Sequence, residues 1–187
     1  MERDAAPGRP GPPGHLSPPN LLVTPAWRYW LASDAGRLRS VSHPGVEWPL
    51  DGPLQARCLH GGHPAPAPGC ACGVYGAPDL AALRGHGLCV GTRPVVVGRV
   101  DLLGPLVADE DGLRAPAGRP VALWLVPETV GRRPLQALVA RLGDYGVPVA
   151  TMAAAEATEG ATAAMLRFQA MSAGSGPGGG AAAGADS

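Results

Sequence analysis

Three of the chain's four cysteines and two of its five histidines fall in one short stretch, C-L-H-G-G-H-P-A-P-A-P-G-C-A-C, from Cys58 to Cys72. Glycine and proline dominate the rest of that stretch, so it has little apolar surface to bury and needs another device to hold its shape. Thiolates and an imidazole in a 3:1 ratio suit a tetrahedral zinc ion. Cys70-Ala71-Cys72 is narrower than the usual C-x2-C pair, so both sulfurs reach one ion only if the backbone turns tightly. Gly69 and Gly73 flank the pair and permit such a turn. Pro64 biases His63 toward an extended backbone with a projecting ring, whereas His60 lies beside Leu59 and two glycines in a setting that suits solvent. The expected ligands are Cys58, His63, Cys70 and Cys72, with a structural Zn2+ as the cofactor and His60 as a neighbour. A metal-free cysteine cluster is the competing reading.

Two further chemistries fit the same residues. A catalytic zinc keeps a position open for water; with three protein ligands, Asp79 would be a candidate base. A disulfide is the other, with Cys58 and Cys70 the less strained pair, since an i, i+2 bond between Cys70 and Cys72 would be strained and easily reduced. Cys89 stands in the apolar Leu88-Cys89-Val90 and reads as a buried small side chain. The chain has no lysine-bearing phosphate loop and no G-x-S-x-G elbow. Asp109, Glu110 and Asp111 are adjacent rather than spaced as calcium ligands, and read as a solvated turn.

Short strand-like segments surround the cysteines. Residues 23–33 and 38–41 predict a hairpin around Ser33-Asp34-Ala35-Gly36. A third strand is expected over Leu54–Leu59, its alternation placing Cys58 on the Leu54 face. Pro78–Arg84 predicts a short helix. The valine-rich segment from Pro94 to Val107 predicts a strand, with an antiparallel return beyond the acidic turn. Val121–Val126 predicts a central strand, Leu135–Leu142 a helix, and Val147-Pro148-Val149 an edge strand. The expected fold is α+β: a small antiparallel, barrel-like sheet with one or two covering helices. The expected organisation is a disordered Pro/Gly-rich leader over 1–20 and a single zinc-stapled domain over 21–150. A weak alanine-rich helix over 152–169 and a flexible Ala/Gly tail would complete 151–187.

Formal net charge is zero and every basic residue is arginine, which weighs against nucleic acid. A zinc module with Arg28, Arg37, Arg39 and Arg57 on one face remains the nucleic-acid alternative. No stretch is long and apolar enough to span a membrane. The absence of a signal-like start, together with clustered cysteines, points to the cytoplasm. No nucleophile-base-acid arrangement stands out. The leading expectation is therefore a non-enzymatic adaptor or regulatory domain with a protein partner, and a thiol- or metal-dependent enzyme is the alternative.

Trp48-Pro49, Ala56-Arg57-Cys58, His63-Pro64-Ala65-Pro66 and Cys70-Ala71-Cys72-Gly73-Val74-Tyr75-Gly76 follow one another here. Gly98-Arg99-Val100-Asp101-Leu102-Leu103-Gly104 and Glu110-Asp111-Gly112-Leu113-Arg114-Ala115 come after them. Across residues 27–149 this series resembles a group of small actinobacterial proteins of unassigned function. Their pattern runs Trp-Pro, Ala-x-Cys, His-x-Ala-Pro, Cys-x-Cys-Gly-Ile-Tyr-Ala, Gly-x-Val-x-Leu-Trp-Gly and Glu-x-Gly-x-Arg-Ala. Val74, Gly76 and Leu103 depart from its Ile, Ala and Trp. The resemblance implies His63 rather than His60 as ligand, and implies a role for Glu110 and Arg114 beyond a turn. It implies no activity.

Overall fold

Trp27, Tyr29 and Trp30 favour an extended chain along β1 (Val23–Ala32), and this strand pairs on both edges. The computed structural model describes residues 22–86, 93–110 and 112–159. Cys89, the leader and most of the tail lie outside these residues. One edge of β1 takes β2 (Leu38–Ser40), completing the hairpin expected around Ser33–Gly36. The other takes β5 (Val95–Leu103), nine residues of which only Arg99 is exposed. Valines suit that place because their branched side chains fill a pleated, two-sided interior.

Beyond β5 the chain makes one long folded hairpin. It runs through β6 (Val107–Asp109) and β7 (Gly112–Ala115), then returns as β8 (Ala117–Leu125) alongside β5. The β5–β8 register shifts between Arg99 and Val100, opposite Pro120. Proline has no N–H for the ladder, and a bulge is where a sheet accommodates one. The hairpin tip forms a second sheet in the order β4-β7-β6, with β4 (Val74–Gly76) bringing in the end of the cysteine loop. Ala77 then bridges to Trp27 of β1 through two backbone hydrogen bonds of 2.8 and 2.7 Å. Pairing runs from β1 through β5 to β8; the chain itself turns at Pro116 from β7 into β8, and pairing resumes from β7 through β4 to the single bridge at β1. This curled antiparallel half-barrel is the barrel-like α+β fold expected.

Two apolar clusters fill it. Trp30, Trp48, Leu38, Val96, Val100 and Leu123 pack with Leu138 and Leu142 of α2 (Leu135–Leu142). Full burial of each leucine contributes about 1.5–3 kcal/mol. Tyr29, Val95, Val97 and Val126 pack on the opposite face, under Leu83 of α1 (Leu80–Gly85) and Ala154 and Ala157 of the single-turn α3 (Ala154–Ala157).

Two expectations need correction. The third strand, β3, is only Leu54–Gln55. Its partner β8 ends there, because the chain bends at Pro116 into the small sheet, and Ala56 N–H makes the last bond, to Pro116 O at 2.8 Å. The late strand β9 (Val149–Thr151) lies parallel, not antiparallel, to β8. Of the alanine-rich helix expected over 152–169, the described residues include one turn, Ala154–Ala157, followed by Thr158 extended at φ −151° and ψ 166°; residues 160–169 lie outside the described residues. Ala154 and Ala157 are buried, so core packing continues past residue 150.

Candidate metal centre

Cys58 leaves the end of β3 on a loop, and alternation still decides its side. Leu54, Ala56 and Cys58 are half-buried while Gln55, Arg57 and Leu59 are exposed. The loop then carries His63 around and returns Cys70 and Cys72 just before β4. Gly69 and Gly73 have φ of +72° and +128°, values that side-chain-bearing residues avoid. One ligand atom from each of Cys58, His63, Cys70 and Cys72 lies within 4.8 Å of the others, forming a cluster able to hold a metal ion. Cys58 Sγ is 3.7 Å from Cys70 Sγ and 3.3 Å from His63 Nε2. A disulfide needs about 2.05 Å between sulfurs, and Cys58, Cys70 and Cys72 are free thiols.

His63 Nδ1 sits 3.0 Å from Pro64 O. A proton on Nδ1 is accepted there, which leaves the Nε2 lone pair on the Cys58 side. Second contacts of this kind fix the tautomer of metal-binding histidines. The thiols differ electrically. The His60 backbone N–H, with Cys70 and Gly61, holds the Cys58 thiol below its ordinary value. For Cys70, the Cys72 backbone N–H pulls the thiol down, but the neighbouring Cys72 and Cys58 side chains outweigh it and push it up. Backbone N–H groups thus favour the charged form at Cys58, while the neighbouring sulfurs oppose it at Cys70.

Arg114, on β7 and buried, holds this loop from behind. Its guanidinium donates to Cys70 O, to Cys72 O at 3.0 Å and to Ala67 O at 3.4 Å. Asp109 receives the other side of the fork, at 2.9 Å from Nε and 2.6 Å from Nη2. The guanidinium also lies 5.7 Å from the Tyr75 ring centroid. Arg114 is therefore more than a turn residue. Its carboxylate partner is Asp109, whereas Glu110 is exposed at the hairpin tip. Register explains the difference: Asp109 closes the β6–β7 ladder opposite Gly112, while Glu110 falls in the turn itself.

Other candidates fall elsewhere. His60 is exposed and contributes its backbone, not its ring, to the cluster. Asp79 caps α1 by accepting from Ala82 N–H at 2.8 Å, so it is committed to the helix rather than placed as a base. The arginines of the N-terminal hairpin do not make one open basic face. Arg37 and Arg39 pair with Glu47, and Arg28 turns into the barrel between Trp30 and Trp48. The sequence signal for Arg28 was a lone charge in the aromatic run Trp27-Arg28-Tyr29-Trp30, on the same strand face as Trp30. Among the described residues, no helix is long and apolar enough to cross a membrane. No protein-family profile, curated protein or solved structure matches this chain.

Proposed function

We propose that the protein is a zinc-stabilised adaptor or regulatory domain with no chemistry of its own, which binds a protein partner. The observation that carries this reading is the convergence of three sulfurs and one imidazole within 4.8 Å on a loop with almost no core. In a regular tetrahedron with Zn–S near 2.3 Å and Zn–N near 2.0–2.1 Å, the edges are about 3.8 Å between sulfurs and about 3.6 Å between sulfur and nitrogen. The 3.7 Å and 3.3 Å separations around Cys58 support that fit. Four protein ligands complete the shell and leave no position for a reacting water. Arg114 adds outer support of the kind that orients ligands. Leu59 is 69% exposed on the same loop, so the staple would also present an apolar contact to the partner.

Cobalt substitution separates this reading from a metal-dependent enzyme. The Co2+ form should show the intense visible bands of a closed tetrahedral sulfur-rich site, and added azide or thiocyanate should leave them unchanged. A spectrum that shifts with either anion would reveal an exchangeable position and move the site to the catalytic class.

A further inference from the structure

Strand alternation places Arg28 on the Trp30 face of β1, inside the half-barrel. Its guanidinium carbon lies 5.0 Å from the Trp48 ring centroid and 5.8 Å from that of Trp30. Nη1 donates to Tyr75 O at 2.7 Å, Nη2 reaches Ser40 Oγ at 3.4 Å, and the buried Nε has no acceptor. Arg37, Arg39, Arg84, Arg114, Arg119 and Arg133 each pair with a carboxylate; Arg28 pairs with none among the described residues. Loss of water around it pulls its pKa down to about 10. A cation enclosed without a counter-charge is unfavourable, and stacking on indole faces offsets only part of that.

Two cavities meet at this side chain. One, of about 340 Å³, runs from Arg28 past Val46, Leu54 and Val74 to Arg57, His60 and the Cys72 wall of the metal centre. The other, of about 440 Å³, lies toward Trp27, Ala77 and Leu83. They share Arg28, Ser42, His43, Ala71 and Tyr75, so they form one groove. Among the described residues, no aspartate or glutamate lines either cavity. The volumes suit a small molecule, and a mainly apolar wall with a few placed polar groups, here the enclosed Arg28 and, at the far end, the exposed Arg57, is the usual make-up of a ligand site.

We propose that this groove binds a small amphipathic carboxylate, with its acid group against the Arg28 guanidinium and its apolar body along Val46, Leu54 and Val74. A guanidinium fork matches a planar carboxylate, and the enclosed setting strengthens that pair relative to water. The assignment goes beyond the zinc staple and does not depend on it. Ala71 and Cys72 belong to both, so the ligand would stiffen the wall that the metal centre holds.

The test titrates the full chain, as purified without chelator, with octanoate, octanamide and inorganic phosphate, followed by calorimetry and by backbone amide NMR shifts. Octanoate is expected to bind at least about tenfold more tightly than octanamide or phosphate, with the largest shifts at Arg28, Ala71 and Tyr75. Arg28→Gln should abolish the preference for acid over amide. If that variant fails to fold, Val46→Glu at the rim introduces an opposing charge at a partly exposed position and should weaken octanoate by about tenfold or more. Equal binding of octanoate and octanamide, phosphate binding as tightly as octanoate, or no binding by octanoate up to about 10 mM would overturn the proposal.

Discussion

Arg114 ties the cysteine loop to the small sheet with a single side chain, accepted by three loop carbonyls and fixed by Asp109. Lysine keeps the charge but cannot serve both sides of that fork at once. Arg114→Lys should weaken metal binding by about 10–100-fold, the usual cost of losing an outer contact, as read by competition with a chromophoric chelator. Tyr145 acts in the same way in the core. Its hydroxyl accepts from Leu38 N–H at 2.9 Å and donates to Trp48 O at 3.0 Å. Tyr145→Phe leaves both partners unpaired and should lower unfolding free energy by about 1–3 kcal/mol in urea titrations. Burial holds the Tyr145 phenol above its ordinary value, against the opposing pull of the Leu38 N–H. Its stabilisation is therefore complete below pH about 10 and is lost as pH rises through the folded-state value, a loss the phenylalanine variant should not show. At this scale, the grouping of Cys58, His63, Cys70 and Cys72 was readable because all four lie within one short stretch and their chemistry is local to the residue type. Asp109 was not, because neighbouring acids look alike until strand register separates them.

The loop from Cys58 to Cys72 has few buried apolar side chains, so its shape rests on its turns, on the Arg114 hydrogen bonds and on the Cys/His cluster. Gly73 shows how narrow the tolerance is. A side chain there would be strained at φ +128° and would meet Arg114 Cβ at 3.1 Å and Pro66 Cβ at 3.2 Å. Gly73→Ala should therefore lower both the melting temperature and metal affinity, while an alanine at the open, ordinary-φ Gly62 should change neither appreciably. The β1–β2 hairpin, the β6–β7 turn and helices α1 and α2 were legible because periodicity and turn residues are short-range signals. The short β3 was not. Leu54 to Leu59 alternates properly, and its burial follows that pattern, but ladder length depends on where β8 departs at Pro116, far away in the chain.

Across the whole molecule, the cysteine loop connects the two sheets rather than hanging from one of them. β4 follows Cys72 directly, pairs with β7, and reaches β1 at the Trp27–Ala77 bridge. A barrel-like sheet could be anticipated from many short strands. The folding-over of β5 through β8 into two sheets, and the parallel docking of β9, arise from non-local partner choice that no local pattern encodes. Holding the loop in place thus preserves the return of pairing from the small sheet to β1, which is why a metal there would stabilise the fold as a whole. The most direct test is the metal-to-protein ratio, by mass spectrometry of the elements, in protein purified without chelator. About one zinc per chain, lost in Cys70→Ser, is the predicted result. A folded chain carrying no metal, with the same melting temperature in Cys70→Ser, would contradict the account.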